Sequence, residues 1–121
     1  MVQRKPEAHN WMRRALEAVE ALDHDWDGYG ADPISSSVIA QMRNVLENLL
    51  PTYAAVGSIV PGADGSLQAE WHLDDVELGL VVERDGDLSS WVRRPHGDLE
   101  IERSGIDGWD LFRSVAQTAL A

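Results

Sequence analysis

Apolar residues recur early in the chain at three- and four-residue spacing: Trp11, Ala15, Leu16, Val19 and Leu22. That spacing lines one face of a helix, and Pro6 stands where a helix can begin, so a helix is predicted over about residues 6 to 22. A second stripe, Val38, Met42, Val45 and Leu49, comes after Ser35, Ser36 and Ser37 and stops at Pro51. The serine hydroxyls can cap the first turn of this second helix, and the proline ends it. Residues 52–57 form a connector that ends in Gly57. From Ser58 the period falls to two, the signature of strands. Ile59-Val60 is a short strand and Pro61 to Gly65 a turn. Leu67, Ala69, Trp71 and Leu73 then alternate with Gln68, Glu70 and His72. Asp74-Asp75 is a tight connection to Val76, Leu78, Leu80 and Val82, which alternate with Glu77, Gly79, Val81 and Glu83. Asp85-Gly86 reads as a two-residue type I′ turn into a strand from about 88 to 93. Pro95-His96-Gly97-Asp98 turns again into Leu99-Glu100-Ile101-Glu102. Asp107 is placed to cap a last helix with Trp109 at its start and Phe112, Val115, Ala116 and Ala119 inside.

The predicted fold class is therefore α+β: two N-terminal helices, a four- to five-stranded antiparallel meander sheet and a C-terminal helix, with residues 1–121 forming a single domain. Amphipathic helices are the available cover for one face of such a sheet, which leaves the other face open. With two-residue loops at 74–75 and 85–86, His72 lies opposite Glu77, Glu70 opposite Gly79, Glu77 opposite Arg94, and Gly79 opposite Val92. The open face is then expected to carry Gln68, Glu70, His72, Glu77, Val81, Glu83 and Arg94, with a shallow dip at Gly79. Trp11, Trp71 and Trp109 fall on apolar faces and are assigned to the core, whereas Trp26 and Trp91 are left free for an interface.

Composition narrows the chemistry. The 121 residues suit one domain, and 44% hydrophobic residues with five Trp supply a core. No cysteine is present, which excludes disulfides and thiolate chemistry and removes the commonest zinc frameworks. Apolar runs are only a few residues long and the first residues lack the apolar centre of a signal peptide, so a cytoplasmic protein without membrane insertion is expected. Ten basic against 21 acidic residues give a net charge of −11, which argues against direct binding to nucleic acid. From Asp64 to Asp110 there are 13 acids against four arginines, Arg84, Arg93, Arg94 and Arg103. That concentration suits a basic partner, although acidic surfaces also serve solubility alone.

The segment Leu22-Asp23-His24-Asp25-Trp26-Asp27-Gly28-Tyr29-Gly30-Ala31-Asp32-Pro33-Ile34 joins the two predicted helices. Its glycines permit unusual backbone angles, and Trp26 and Tyr29 are large enough to pin the loop to the core. Asp23, Asp25, Asp27 and Gly28 match positions 1, 3, 5 and 6 of a calcium loop, but Ile34 stands where a bidentate Glu is needed and Gly30 where an aliphatic residue belongs. The acids are therefore read as caps on backbone amides, and no metal ligand or cofactor is assigned. Glu70 and His72, with Glu77 across, could form an acid/base or metal cluster, yet an open strand face routinely carries such pairs. His9, His24 and His96 have no shared spacing. Ser35, Ser36 and Ser37 lack a glycine elbow and are read as caps. No catalytic residue is assigned.

The loop Asp25-Trp26-Asp27-Gly28-Tyr29-Gly30-Ala31, with Val60-Pro61, Asp64-Gly65, Glu70-Trp71 and Asp85-Gly86 downstream, resembles a group of small bacterial and phage-associated proteins that share a W-D-G-Y-G-A loop and a later E-W hairpin. The resemblance covers about residues 16 to 90. It implies a fold-making role for the loop and a setting among accessory genes of mobile elements, and it brings no activity with it.

These readings lead to a non-enzymatic interaction protein whose acidic sheet face engages a basic, nucleic-acid-handling protein partner, as an antitoxin-like or immunity-like neutraliser or an anti-CRISPR-like phage inhibitor would. The residues expected to make that contact are Glu70, His72, Asp74, Asp75, Glu77, Glu83, Asp85 and Asp87, with Trp26 and Tyr29 as anchors. Two alternatives come from other classes: a divalent-metal-binding enzyme or sensor using Asp23, Asp25, Asp27 and Asp32, and a self-associating structural subunit such as a homodimer.

Overall fold

Two helices open the chain, α1 over Ala8–Glu20 and α2 over Ser36–Leu49. The computed structural model describes the backbone of residues 7–93 and 99–121, and the side chains of residues 7–93 and 112–121. Pro6 lies outside that range, and α1 is started by its neighbours: Glu7 bridges Tyr53, and the Ala8 N–H donates to the Thr52 carbonyl at 2.9 Å. Ala8, Met12, Leu16 and Val19 are its buried stripe, with Trp11 packed beside them. Ser35 caps α2 by accepting from the Val38 N–H at 3.3 Å, and Leu50 turns to extended backbone ahead of Pro51, as the helix-stop pattern predicts. Val38, Ile39, Met42, Leu46 and Leu49 form the stripe it buries.

Five strands come next, β1 over Ser58–Pro61, β2 over Leu67–His72, β3 over Glu77–Val82, β4 over Leu88–Arg93 and β5 over Leu99–Ser104, before α3 over Gly105–Ala119. They pair antiparallel in sequence order, an α+β meander in which β1 to β4 carry described side chains and β5 extends the sheet beside β4. The residues 94–98 that were expected to form the preceding turn, Arg94 among them, lie outside the described range, as does the side chain of Trp109. α3 begins at Gly105, so Asp107 is inside its first turn rather than at the cap expected of it.

All the large apolar side chains of β2, β3 and β4 except Trp91 and Val81 enter one core. Leu67, Ala69, Trp71, Leu78, Leu80, Val82 and Val92 are buried on that side together with Phe112, Ala116 and Leu120 from the chain's C-terminal end. Each fully buried leucine there contributes about 1.5–3 kcal/mol relative to exposure. Trp71 is 0% exposed, donates its indole N–H to the Ala55 carbonyl at 3.1 Å, and meets Trp11 at a centroid distance of 6.2 Å and a 50° tilt. One side chain thus ties sheet, connector and α1 together.

The loops set which side chains reach the other face. At Asp74-Asp75 the Leu73 N–H donates to the Val76 carbonyl at 2.9 Å, and the expected pairs His72 with Glu77 and Glu70 with Gly79 are present. At Asp85-Gly86 the expected register is wrong by one residue. Glu83 N–H donates to the Asp87 carbonyl at 2.8 Å and Gly86 N–H to the Glu83 carbonyl at 2.9 Å, so the loop is the three-residue Arg84-Asp85-Gly86, with Gly86 at φ +95°. A type I turn closed by a left-handed glycine fits the strand twist as well as a type I′ turn does, and Asp-Gly serves both. The same construction closes β1 and β2, where Gly65 has φ +92°. Consequently Glu77 faces Arg93 and Gly79 faces Trp91, while Val92 turns into the core.

The expected dip at Gly79 is filled. A Cβ built on Gly79 would collide with the Trp91 indole, so the ring lies directly on the glycine of the neighbouring strand. Gly79→Ala should destabilise the protein by about 1–3 kcal/mol in urea unfolding, the usual range for overpacking. The cost should shrink in a Trp91→Ala background, and an equal cost in both backgrounds would show that the contact is not its cause.

Candidate functional site: the open sheet face

Alternation along β2 and β3 turns Gln68, Glu70, His72, Glu77 and Val81 away from the core, and the β3–β4 register adds Ser89, Trp91 and Arg93 to the same face. The packing contacts of the helices fall on the opposite side, α2 against β2 and β3 and α3 against β4 and β5. His72 stands between two carboxylates: Nε2 lies 3.5 Å from Glu70 Oε1 and Nδ1 lies 3.4 Å from Glu77 Oε1. Gln68 Nε2 also donates to Glu70. The bond to Glu77 raises the His72 pKa; burial opposes it, and the bond to Glu70 and both negative charges add to the rise. The carboxylates are about a quarter to a third exposed, whereas the imidazole is 54% exposed.

The ten residues expected to bind a partner fall into four places. Glu70, His72 and Glu77 meet on the open face where β2 ends and β3 begins. Asp74 and Asp75 form the β2–β3 turn at one end. Glu83, Asp85 and Asp87 belong to the β3–β4 turn, six residues of extended chain beyond Glu77 and therefore about 20 Å away. There Asp85 Oδ1 accepts from the Asp87 N–H at 3.0 Å, and Asp64 of the β1–β2 turn lines a shallow depression with Glu83, Arg84 and Asp85. Arg84 crosses to this turn, since a Cβ on Gly65 would sit 3.0 Å from its side chain.

Trp26 and Tyr29 belong to the loop between α1 and α2, and its architecture corrects part of the expectation. Asp25 adopts φ +67°, its Oδ1 accepts from the Gly30 N–H at 2.6 Å, and its own N–H donates to the Ala31 carbonyl at 2.7 Å. Asp27 Oδ1 accepts from Tyr29 N–H at 2.9 Å and Ala31 N–H at 3.1 Å, and these two bonds lower its pKa. Trp26 is half-buried with its indole N–H on the Asp32 carbonyl at 2.8 Å, whereas Tyr29 is 93% exposed and pins nothing. Ala31 and Ile34 supply the loop's buried contacts instead, because the amide bonds to Asp27 hold the Tyr29 backbone with its ring outward. The Asp25 and Asp27 carboxylates thus serve the loop's own amides. Among the described residues, no group of three or more His, Cys, Asp or Glu is placed to hold a metal ion.

Trp91 and Arg93 were not placed beside Gly79 and Glu77 because the assumed register put Val92 and Arg94 there. The Arg93 guanidinium carbon lies 6.0 Å from the Trp91 ring centroid. Elsewhere a cleft of about 230 Å³ opens between the start of α1 and the end of α2, lined by Ala8, Met12, Leu46 and Leu50 among others. None of the ten residues borders it, and it is smaller than the roughly 300–1,000 Å³ usual for small-molecule sites. No described helix is long and apolar enough to cross a membrane. Comparison with protein-family models, curated proteins and solved structures finds no match.

Both sites respond to pH, with opposite signs. A raised folded-state pKa means that His72 stabilises the fold fully below its unfolded value, about 6.5, and loses that contribution as pH rises through the folded value. His72→Gln should therefore reduce stability more at about pH 5.5 than at about pH 8.5, by roughly 0.2–1 kcal/mol as befits an exposed pair. A difference independent of pH would mean that the imidazole charge is not engaged. For Asp27 the contribution is present above the unfolded carboxylate value and lost as pH falls through the lowered one. Asp27→Ala should speed amide exchange at Tyr29 and Ala31 while β2 and β3 keep their protection, and unchanged exchange at those two amides would contradict the bonding described.

Proposed function

We infer that this is a non-enzymatic binding protein of the cytoplasm that uses its open sheet face to hold a basic protein partner. The observation that carries this reading is a helix-free sheet face on which Glu70 and Glu77, both half-buried, flank the His72 imidazole in a chain of net charge −11. Carboxylates on a flat, rigid surface complement arginine and lysine side chains that evolved to hold phosphates. Such complementarity raises association rates and suppresses wrong partners. The partner is then a protein that handles nucleic acid, and occupation of its basic surface inhibits it. That is the action of an antitoxin-like, immunity-like or anti-CRISPR-like neutraliser, in keeping with the resemblance of the 25–31 loop to proteins of mobile elements. Asp74 and Asp75 at one end and Glu83, Asp85 and Asp87 at the other extend the negative surface.

The test is capture from the native host on immobilised protein, then measurement of the captured partner's nucleic-acid binding. The wild-type protein should inhibit that binding, and the combined variant E70Q/D74N/D75N/E77Q should be weaker by about tenfold or more, equivalent to roughly 1.4 kcal/mol. Inhibition should also fall between about 0.1 and 1 M salt, as the screening length shortens from about 10 to about 3 Å. Inhibition that survives both changes would end the electrostatic reading.

A further inference from the structure

We propose that the open face is a seat for an arginine side chain of the partner, with the guanidinium stacked on Trp91 and hydrogen-bonded to Glu70 and Glu77. This rests on the docking reading above and specifies how that face recognises its partner. The register places the three groups together. Trp91 pairs with Gly79 across β3–β4, and Gly79 pairs with Glu70 across β2–β3, so the indole takes the place of a Gly79 side chain, next to Glu70. Glu77 precedes Gly79 by two residues on the same face of β3. A side chain at Gly79 would stand about 4.5–5.5 Å from Glu70, directly opposed, and Glu70 and Glu77 are diagonal neighbours about 7–8 Å apart, so with the ring over Gly79 the span is one that a guanidinium can bridge.

Charge complementarity selects the occupant. Two half-buried carboxylates converge on His72, whose imidazole is the more exposed member and is uncharged at alkaline pH. With the imidazole neutral, an incoming cation finds negative charge beside an aromatic plate. Arginine fits better than lysine: its planar guanidinium stacks on indole and can donate to two carboxylates at once, whereas an ammonium is a compact, strongly hydrated charge. The protein's own Arg93 already approaches the Trp91 ring, at 6.0 Å, which shows that a guanidinium can reach the plate and that Arg93 competes for it. A second copy of this chain sets nine arginines among 21 acids, carries the same net charge of −11, and is the less complementary occupant.

The probe is a short acetylated Arg-Gly-Arg amide peptide, compared with its Lys-Gly-Lys counterpart, titrated into the full chain while the backbone and indole amide signals are followed by NMR. The Arg peptide should shift the Trp91 indole and the Glu70, His72 and Glu77 amides saturably, and bind more tightly than the Lys peptide. Trp91→Leu, which keeps an apolar cover over Gly79 but removes the aromatic face, should weaken the Arg peptide about threefold. E70Q/E77Q should weaken it about tenfold. Arg93→Ala should tighten it, since the competing cation is gone, and a merely structural role for the plate would not give that sign. An unshifted Trp71 indole signal in each variant verifies the fold. Equal binding of both peptides, indifference to Trp91→Leu, or shifts of the same residues on simple dilution of the free protein, which would mark self-association, each overturn the seat. Salt-sensitive inhibition of the captured partner that survives Trp91→Leu would leave the electrostatic reading standing without the seat. Arg-selective peptide binding with inhibition indifferent to E70Q/E77Q would do the reverse.

Discussion

The structure depends on the one-sidedness of its sheet. Leu67, Ala69, Trp71, Leu78, Leu80, Val82 and Val92 all leave the strands in the same direction, and burying them requires that α1, α2 and α3 share that side. A sheet with both faces apolar would need two layers of helix, and one with neither would not hold together. Because three helices are spent on one face, the other is left to polar residues together with Val81 and Trp91. Its chemistry is then free to vary without disturbing the core, a separation of duties that many binding proteins use. Trp71 marks the junction, being the largest fully buried side chain among the described residues and bonded outside the sheet, to Ala55.

Rigidity at the periphery comes from short polar side chains. Asp25, Asp27, Asp64 and Asp85 each accept from backbone amides within a few residues of themselves. Carboxylates used in this way replace missing main-chain partners in turns and hold loop shapes that a hydrophobic contact could not define. The acidity of the chain thus has two origins. Part of it is structural, in the turns, and part lies on the open face, where Glu70 and Glu77 answer to His72 and to no backbone amide in the hydrogen bonds described. Net charge alone does not separate the two.

Much of the fold was legible in the sequence, because periods of 3.6 and 2 are imposed by burial and the burial is one-sided. The stripes of the first two helices and the alternation through β2 and β3 marked out their elements, and Asp74-Asp75 led to the correct His72–Glu77 register. Three features were not legible. Asp85-Gly86 is compatible with two loop lengths that differ by one residue, and one residue decides whether Trp91 or Val92 is outside. The start of α1 rests on pairing with Thr52 and Tyr53, about 45 positions later, which no local pattern encodes. Tyr29 was expected inside because it is large and aromatic, yet its orientation is set by where Asp27 bonds. Of the contact residues, Glu70, His72 and Glu77 were brought together as the alternation implied, whereas the acids of the two turns are held about a strand's length apart.

The rim of the sheet at β1 bears on how the protein meets other chains. Gly62 donates to Ser66 toward β2, so by the alternation of an antiparallel ladder the main-chain groups of Pro61 point outward. Its ring nitrogen bears no hydrogen, and a foreign strand laid along that margin would lack a donor at this position. Growth of the meander by strand addition along β1 is thereby discouraged at a single imino acid.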